Sequence, residues 1–176
     1  MTGFRRMPGI AAILVGLGLA VSGCSSGGRE YAIPKQVCEF PVGEDVVSPI
    51  LPDGERVDSG LYETSSTIGV CDLRVDRKTV MSVEIAESGG PFAPEDWEPS
   101  KFDRGMIVGV PGAQKALVGS ERALASAQCG GDYRWLAFRF FFYIDHVADP
   151  DQRVKDVTAF VSDFVPSVKR DLGCAA

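Results

Sequence analysis

The sequence predicts an α+β fold: a mostly antiparallel sheet covered by a short N-terminal helix and a long C-terminal helix, with two disulfides. Three observations predict it. From Glu55 to Tyr143, segment after segment places apolar residues at every second position, the repeat of a strand. From Asp151 to Leu172 the apolar residues step by three and four, the repeat of a helix. Four cysteines, Cys38, Cys71, Cys129 and Cys174, follow the first one at Cys24.

The chain opens with Arg5 and Arg6, no acid, and an unbroken run of small and aliphatic residues from Gly9 to Val21. A charged start and an apolar run of this kind read as an export signal. The run is 13 residues long, short of the roughly 20 needed to cross a bilayer as a helix. It ends in Val21-Ser22-Gly23-Cys24, followed by Ser25-Ser26-Gly27-Gly28. This resembles the lipobox of bacterial lipoproteins: an aliphatic residue, two small ones and a cysteine. The resemblance implies that residues 1–23 are a signal peptide and that Cys24 becomes an acylated N-terminus. An ordinary secretory signal containing a cysteine is the plainer alternative. Each buried acyl methylene contributes ~0.8 kcal/mol, so two or three chains give lasting attachment where one does not. The implied location is the extracytoplasmic face of the cell membrane. The Arg5-Arg6 pair fits twin-arginine export poorly.

Removing 23 residues from 176 leaves 153, the length of one domain, expected over residues 35–176. With Arg5 and Arg6 gone, 16 cations face 24 acids, a net charge of −8. Phosphate backbones and anionic headgroups repel such a surface, which disfavours nucleic acid and leaves the membrane contact to the lipid. Residues 24–34 are small and polar and read as a lipidated cysteine with a flexible tether. Its ten residues after Cys24 reach roughly 17 Å.

Lys35 to Leu51 carries aliphatics at helical spacing, which predicts about two turns around Val42 to Ile50. Pro52-Asp53-Gly54 makes a turn. Strands are expected at Glu55–Tyr62, Thr67–Val75 and Thr79–Ala86, with a slip near Cys71, giving an antiparallel meander. Ser88 to Asp103 is rich in Gly, Pro and acid and reads as an excursion over the surface, with Trp97 pinning it to the core. Met106–Val110, Gln114–Gly119 and Arg122–Cys129 are further strands, the last lined by Ala123, Ala125 and Ala127.

Tyr133 to Tyr143 is the strongest strand. Leu136, Phe138, Phe140 and Phe142 make one apolar face; Tyr133, Trp135, Ala137, Phe141 and Tyr143 make another, interrupted by Arg139. Two apolar faces predict a central strand covered on both sides, hence a sandwiched sheet. Asp149-Pro150-Asp151 starts the last helix, Lys169 and Arg170 suit its C-terminus, and Gly173 stops it, with a kink expected at Pro166.

An even cysteine number in an exported chain reads as disulfides, here with three possible pairings. A short link from strand Tyr133–Tyr143 to helix Asp151–Leu172 turns the helix back along the sheet. Cys129 and Cys174 then meet at one end, which predicts Cys129–Cys174 and leaves Cys38–Cys71.

No G-x-S-x-G, S-x-x-K or P-loop motif follows the leader. The single histidine, His146, has Asp145, Asp149 and Asp151 nearby, but no second histidine or spare thiolate. No metal site and no cofactor are expected. The surface suited to binding is aromatic: Tyr133, Trp135, Phe141 and Tyr143 around Arg139, with Trp97 as a lid. Burial of the same residues as core is the structural alternative.

With its lipobox and cysteines beside each landmark, the chain resembles actinobacterial envelope lipoproteins built on a domain of unknown function. It is more distantly similar to PsbP-like α+β sandwiches. The resemblance implies no activity. The reading is a monomeric, non-catalytic binding module that takes an envelope protein or a hydrophobic ligand. A hydrolase using His146, and a lipid carrier with a cavity between sheet and helix, are the alternatives.

Overall fold

The computed structural model describes residues 28–64, 67–130 and 134–174; the leader, Cys24 and Tyr133 lie outside them. Two short strands, β1 (Gln36–Val37) and β2 (Phe40–Pro41), form a hairpin. One helical turn follows, α1 (Glu44–Val47), running into a 3₁₀ turn at Ser48–Ile50. The helix expected over Val42 to Ile50 is thus shorter, because Pro49 enters the tighter turn near its start, where a missing N–H is tolerated.

The first meander is β3 (Val57–Thr64), β4 (Thr67–Val75) and β5 (Lys78–Ser88). The second is β6 (Met106–Val108), β7 (Lys115–Val118), β8 (Arg122–Gln128) and β9 (Trp135–Phe142). Together they form one seven-stranded sheet in the order β3-β4-β5-β9-β8-β7-β6, antiparallel throughout. The last strand of each meander therefore lies at the centre, β5 beside β9. The β4–β5 turn has positive φ at both Asp76 (49°) and Arg77 (69°), the two-residue geometry that matches strand twist. Asp76 offsets that unusual backbone by accepting from the Glu55 and Arg56 N–H groups at 3.2 and 3.0 Å. The strand slip falls between Leu73 and Arg74, slightly later than expected.

The long helix, α2 (Pro150–Asp171), starts where Asp149 accepts from the Asp151 N–H at 2.9 Å, and it stays helical through Pro166. At its end Gly173 takes φ 67°, its N–H bonding the Arg170 carbonyl and the Cys174 N–H the Lys169 carbonyl. This termination turns the chain so that Cys174 meets Cys129 beyond β8. Both disulfides, Cys129–Cys174 and Cys38–Cys71, are the expected ones.

The side chains of Leu136, Phe138, Phe140 and Phe142 are all buried on the α2 side. Phe140 meets Phe160 and Phe164 edge-on, with centroids 6.4 and 5.8 Å apart, and Phe164 also meets Phe40 at 5.6 Å. Ala123, Ala125 and Ala127 are fully buried beside them, and their small size lets the helix come close to β8.

Two expectations change. The opposite face of β9 is only partly covered, with Phe141 39% and Tyr143 56% exposed, so the sheet is not sandwiched along its whole width. Its even-numbered face alone supplies the core. The second change concerns residues 24–34, whose last six residues are docked on the fold. Arg29 donates to the Ser48 hydroxyl at 2.8 Å and to the Ser48 and Leu51 carbonyls at 3.1 and 2.5 Å. Tyr31 donates to the Pro52 carbonyl, and Ile33 packs on the core. The Leu51 carbonyl lies just past the 3₁₀ turn and takes its donor from the guanidinium, while the Ser48 carbonyl is shared with the Leu51 N–H at 3.3 Å.

Candidate functional site

On the face of the sheet opposite α2, the chain from Gly89 to Gly105 runs as a strap across β7, β8 and β9. Proline opens each of its two 3₁₀ turns, Pro94–Trp97 and Pro99–Lys101. The strap's aromatics fall at five-residue intervals, Phe92, Trp97 and Phe102, and each ring faces a cation from a different strand. Arg139 of β9 lies 4.8 Å from the Phe92 centroid, Lys115 of β7 4.7 Å from Trp97, and Arg122 of β8 5.0 Å from Phe102. Trp97 is buried, meets Phe92 edge-on at 5.6 Å and donates its indole N–H to the Phe92 carbonyl at 3.2 Å. It therefore pins the strap, as the structural alternative held. The strap's far end is tied where Ser120 bonds Asp103 through both its N–H (2.9 Å) and its hydroxyl. Gly119 is required there, since a Cβ would lie 2.6 Å from the Asp103 carbonyl oxygen.

Strand register explains the clustering. On β8 and β9, Arg122 stands opposite Phe141, and Leu124 opposite Arg139. Arg122 and Arg139 are thus diagonal neighbours on one face, with Leu124 and Phe141 completing the square. Arg139 also pairs with Glu84 of β5 at 3.3 Å, its partner across the centre of the sheet. Between this square and the strap lies a hollow of about 210 Å³, lined by Asp96, Lys101, Phe102, Arg122, Leu124, Arg139 and Phe141 among others.

The described residues expected to bind do not converge as one groove. Arg139 and Phe141 line the hollow, and Trp97 is in the strap above the same face. Trp135 is half-buried at the other end of β9, opposite Ser88 and Gln128. Six residues of strand separate it from Phe141, roughly 20 Å. Tyr143, past the end of β9, lines a different hollow of about 320 Å³ with Asp53, Asp76, Lys78, Asp145 and His146. Sequence reading missed Lys101, Phe102 and Arg122. The spacing of Phe92, Trp97 and Phe102 was the available signal, but their partners depend on long-range register.

His146 is exposed, and its Nε2 donates to the Pro49 carbonyl at 3.2 Å. A carbonyl only accepts, so that nitrogen carries the proton. No carboxylate forms an ion pair with His146 among the described residues. Nor do the described residues contain a group of three side chains suited to a metal ion.

Across the open half of this face, Arg74 pairs with Asp72 at 2.7 Å and donates to the exposed Tyr62 hydroxyl at 2.8 Å. These bonds, that to Asp72 foremost, push its pKa further above the ordinary arginine value. No family model, curated protein or solved structure matches the chain.

Proposed function

We propose that the chain is a lipid-anchored, extracytoplasmic, non-catalytic binding module whose recognition surface is the strap side of the sheet. The observation that carries this reading is the inequality of the two sheet faces. One is closed by buried rings that meet edge-on, while the other presents Phe141, Arg139 and Arg122 around an open hollow. A lipid carrier would need room between sheet and helix, where Phe140, Phe142, Phe160 and Phe164 instead contact one another at 5.4 to 6.4 Å. A Ser-His-Asp hydrolase built on His146 would need an acid to orient the ring, and His146 is held by a backbone carbonyl.

The Val21-Ser22-Gly23-Cys24 sequence supports the anchor, and the docking of Arg29 sets its geometry. Only five residues lead from Cys24 to Arg29, a span of at most about 18 Å. The end of the sheet carrying Gly54 and the Asp76-Arg77 turn would sit next to the bilayer. The 22 residues of α2 rise about 33 Å from that end, carrying the Cys129–Cys174 end outward and leaving the strap on the flank. Acidic Asp53, Asp76 and Asp145 near the anchor would resist lying flat on anionic lipid.

Envelope fractionation and the intact mass of the N-terminal peptide test the anchor. Wild-type protein is expected in the membrane fraction with added acyl mass on Cys24, and a Cys24→Ala variant in the medium. Release of both without added mass would defeat it.

A further inference from the structure

We propose that the hollow between the strap and the β8–β9 square binds a small amphipathic anion: a carboxylate or phosphate joined to a flat or aliphatic body. This rests on the binding-module reading and names its ligand class. Three cations, Lys101, Arg122 and Arg139, line the hollow with one acid, Asp96; Lys101 is paired with Glu98 at 3.4 Å and Arg139 with Glu84 at 3.3 Å. The charge of Arg122 is left to attract an anion on a surface that otherwise repels anions.

The register makes the two arginines diagonal neighbours on one face, about 7–8 Å apart at the backbone, within reach of one bridging anion. Both keep donors to spare. Arg139 gives one Nη to Glu84 at 3.3 Å, and Arg122 gives Nη2 to the Lys101 carbonyl. Each guanidinium has five N–H donors. Arg122 forms no ion pair among the described residues. Carboxylate and phosphate are the groups that the planar fork of arginine fits in pairs of bonds.

Charge alone does not account for the lining. Leu124 stands between the two arginines, and Phe102 and Phe141 flank them. A bare ion would leave these surfaces wet, whereas a ring or short chain would cover them. At about 210 Å³ the space is below the ~300 Å³ where drug-sized sites begin, so it suits a single headgroup or a small ring system.

The test uses the full chain carrying Cys24→Ala, titrated with 2-naphthoate, neutral 2-naphthamide and inorganic phosphate while backbone amide shifts are followed. Saturable shifts with 2-naphthoate are expected at Lys101, Phe102, Arg122, Leu124 and Arg139, with a Kd at least tenfold lower than that for 2-naphthamide or phosphate. Arg122→Gln and Arg139→Gln should each raise the Kd about tenfold. Two variants are used because Arg122 also holds the strap. Arg134→Gln, whose cation pairs with Glu87 outside the hollow, should leave it unchanged. Equal binding of acid and amide, phosphate binding as tightly as 2-naphthoate, unchanged Kd in both arginine variants, or no shift at these amides at millimolar ligand would each overturn the proposal. Any of these with acylated wild-type Cys24 would remove the ligand class and leave the anchored module standing.

Discussion

The two faces of β9 differ by one residue of register and by most of their physics. Phe138, Phe140 and Phe142 point to α2, where buried rings meet buried rings. Arg139 and Phe141 point to the strap, where contacts pair a cation with a ring and Phe141 stays 39% exposed. Full burial of a large apolar side chain contributes roughly 1.5–3 kcal/mol, while an exposed cation–ring contact contributes about 0.5–1 kcal/mol. The pleat therefore separates two levels of burial: the helix side holds the fold while the strap side stays partly open.

The largest effect that would sharpen this contrast is in the core. Phe140→Ala removes a ring contacted by Phe160 and Phe164 and should destabilise the protein by about 3–5 kcal/mol, measured by denaturant unfolding. A loss of about 1 kcal/mol or less would break the comparison. Trp97→Ala should cost less, about 1–2 kcal/mol, because the strap can open without unfolding the sheet. Its signature is faster proteolysis within the strap with a midpoint shift well below that of Phe140→Ala. A midpoint shift equal to that of Phe140→Ala would place the strap inside the core.

The smallest effect is at the docked N-terminal segment. Burial pushes the Tyr31 phenol above its ordinary value near 10, with Arg29 beside it partly opposing the shift. A folded-state pKa that is raised means the contribution is complete below about pH 10 and is lost as pH rises through the folded value. Ionisation also removes the proton donated to the Pro52 carbonyl. The difference in phenolate absorbance between wild type and Tyr31→Phe should titrate with a midpoint above 10. At neutral pH the substitution should cost about 0.5–1.5 kcal/mol, the worth of one hydrogen bond. A midpoint at or below 10 would mean that Tyr31 is not docked.

The parts legible in the sequence are those set by short-range pattern. The alternation in β9 and the three-and-four steps of α2 identify the core, and Asp149 and Gly173 mark where the helix begins and ends. Because β9, its link and α2 are consecutive, they also place Cys129 beside Cys174. What was not legible depends on distant partners. The β1–β2 hairpin turns on Cys38 and Glu39 with positive φ, without the Asn-Gly pair that usually announces such a turn. Arg29 and Tyr31 show no periodicity, and only the carbonyls of Ser48 to Pro52 give them a place. Phe92 and Arg139 are far apart in the chain, and their meeting requires the central β5–β9 pairing. The apolar residues on the odd face of β9 suggested a second full layer, where the strap covers only part.

Native-state hydrogen exchange across a denaturant series tests the inequality of the faces most directly. Amides of the strap, Phe92 to Phe102, should exchange through local opening that hardly depends on denaturant, while those of β9 and α2 exchange only through global unfolding. Strap amides with the same free energy and denaturant slope as Phe138 and Phe140 would contradict the account.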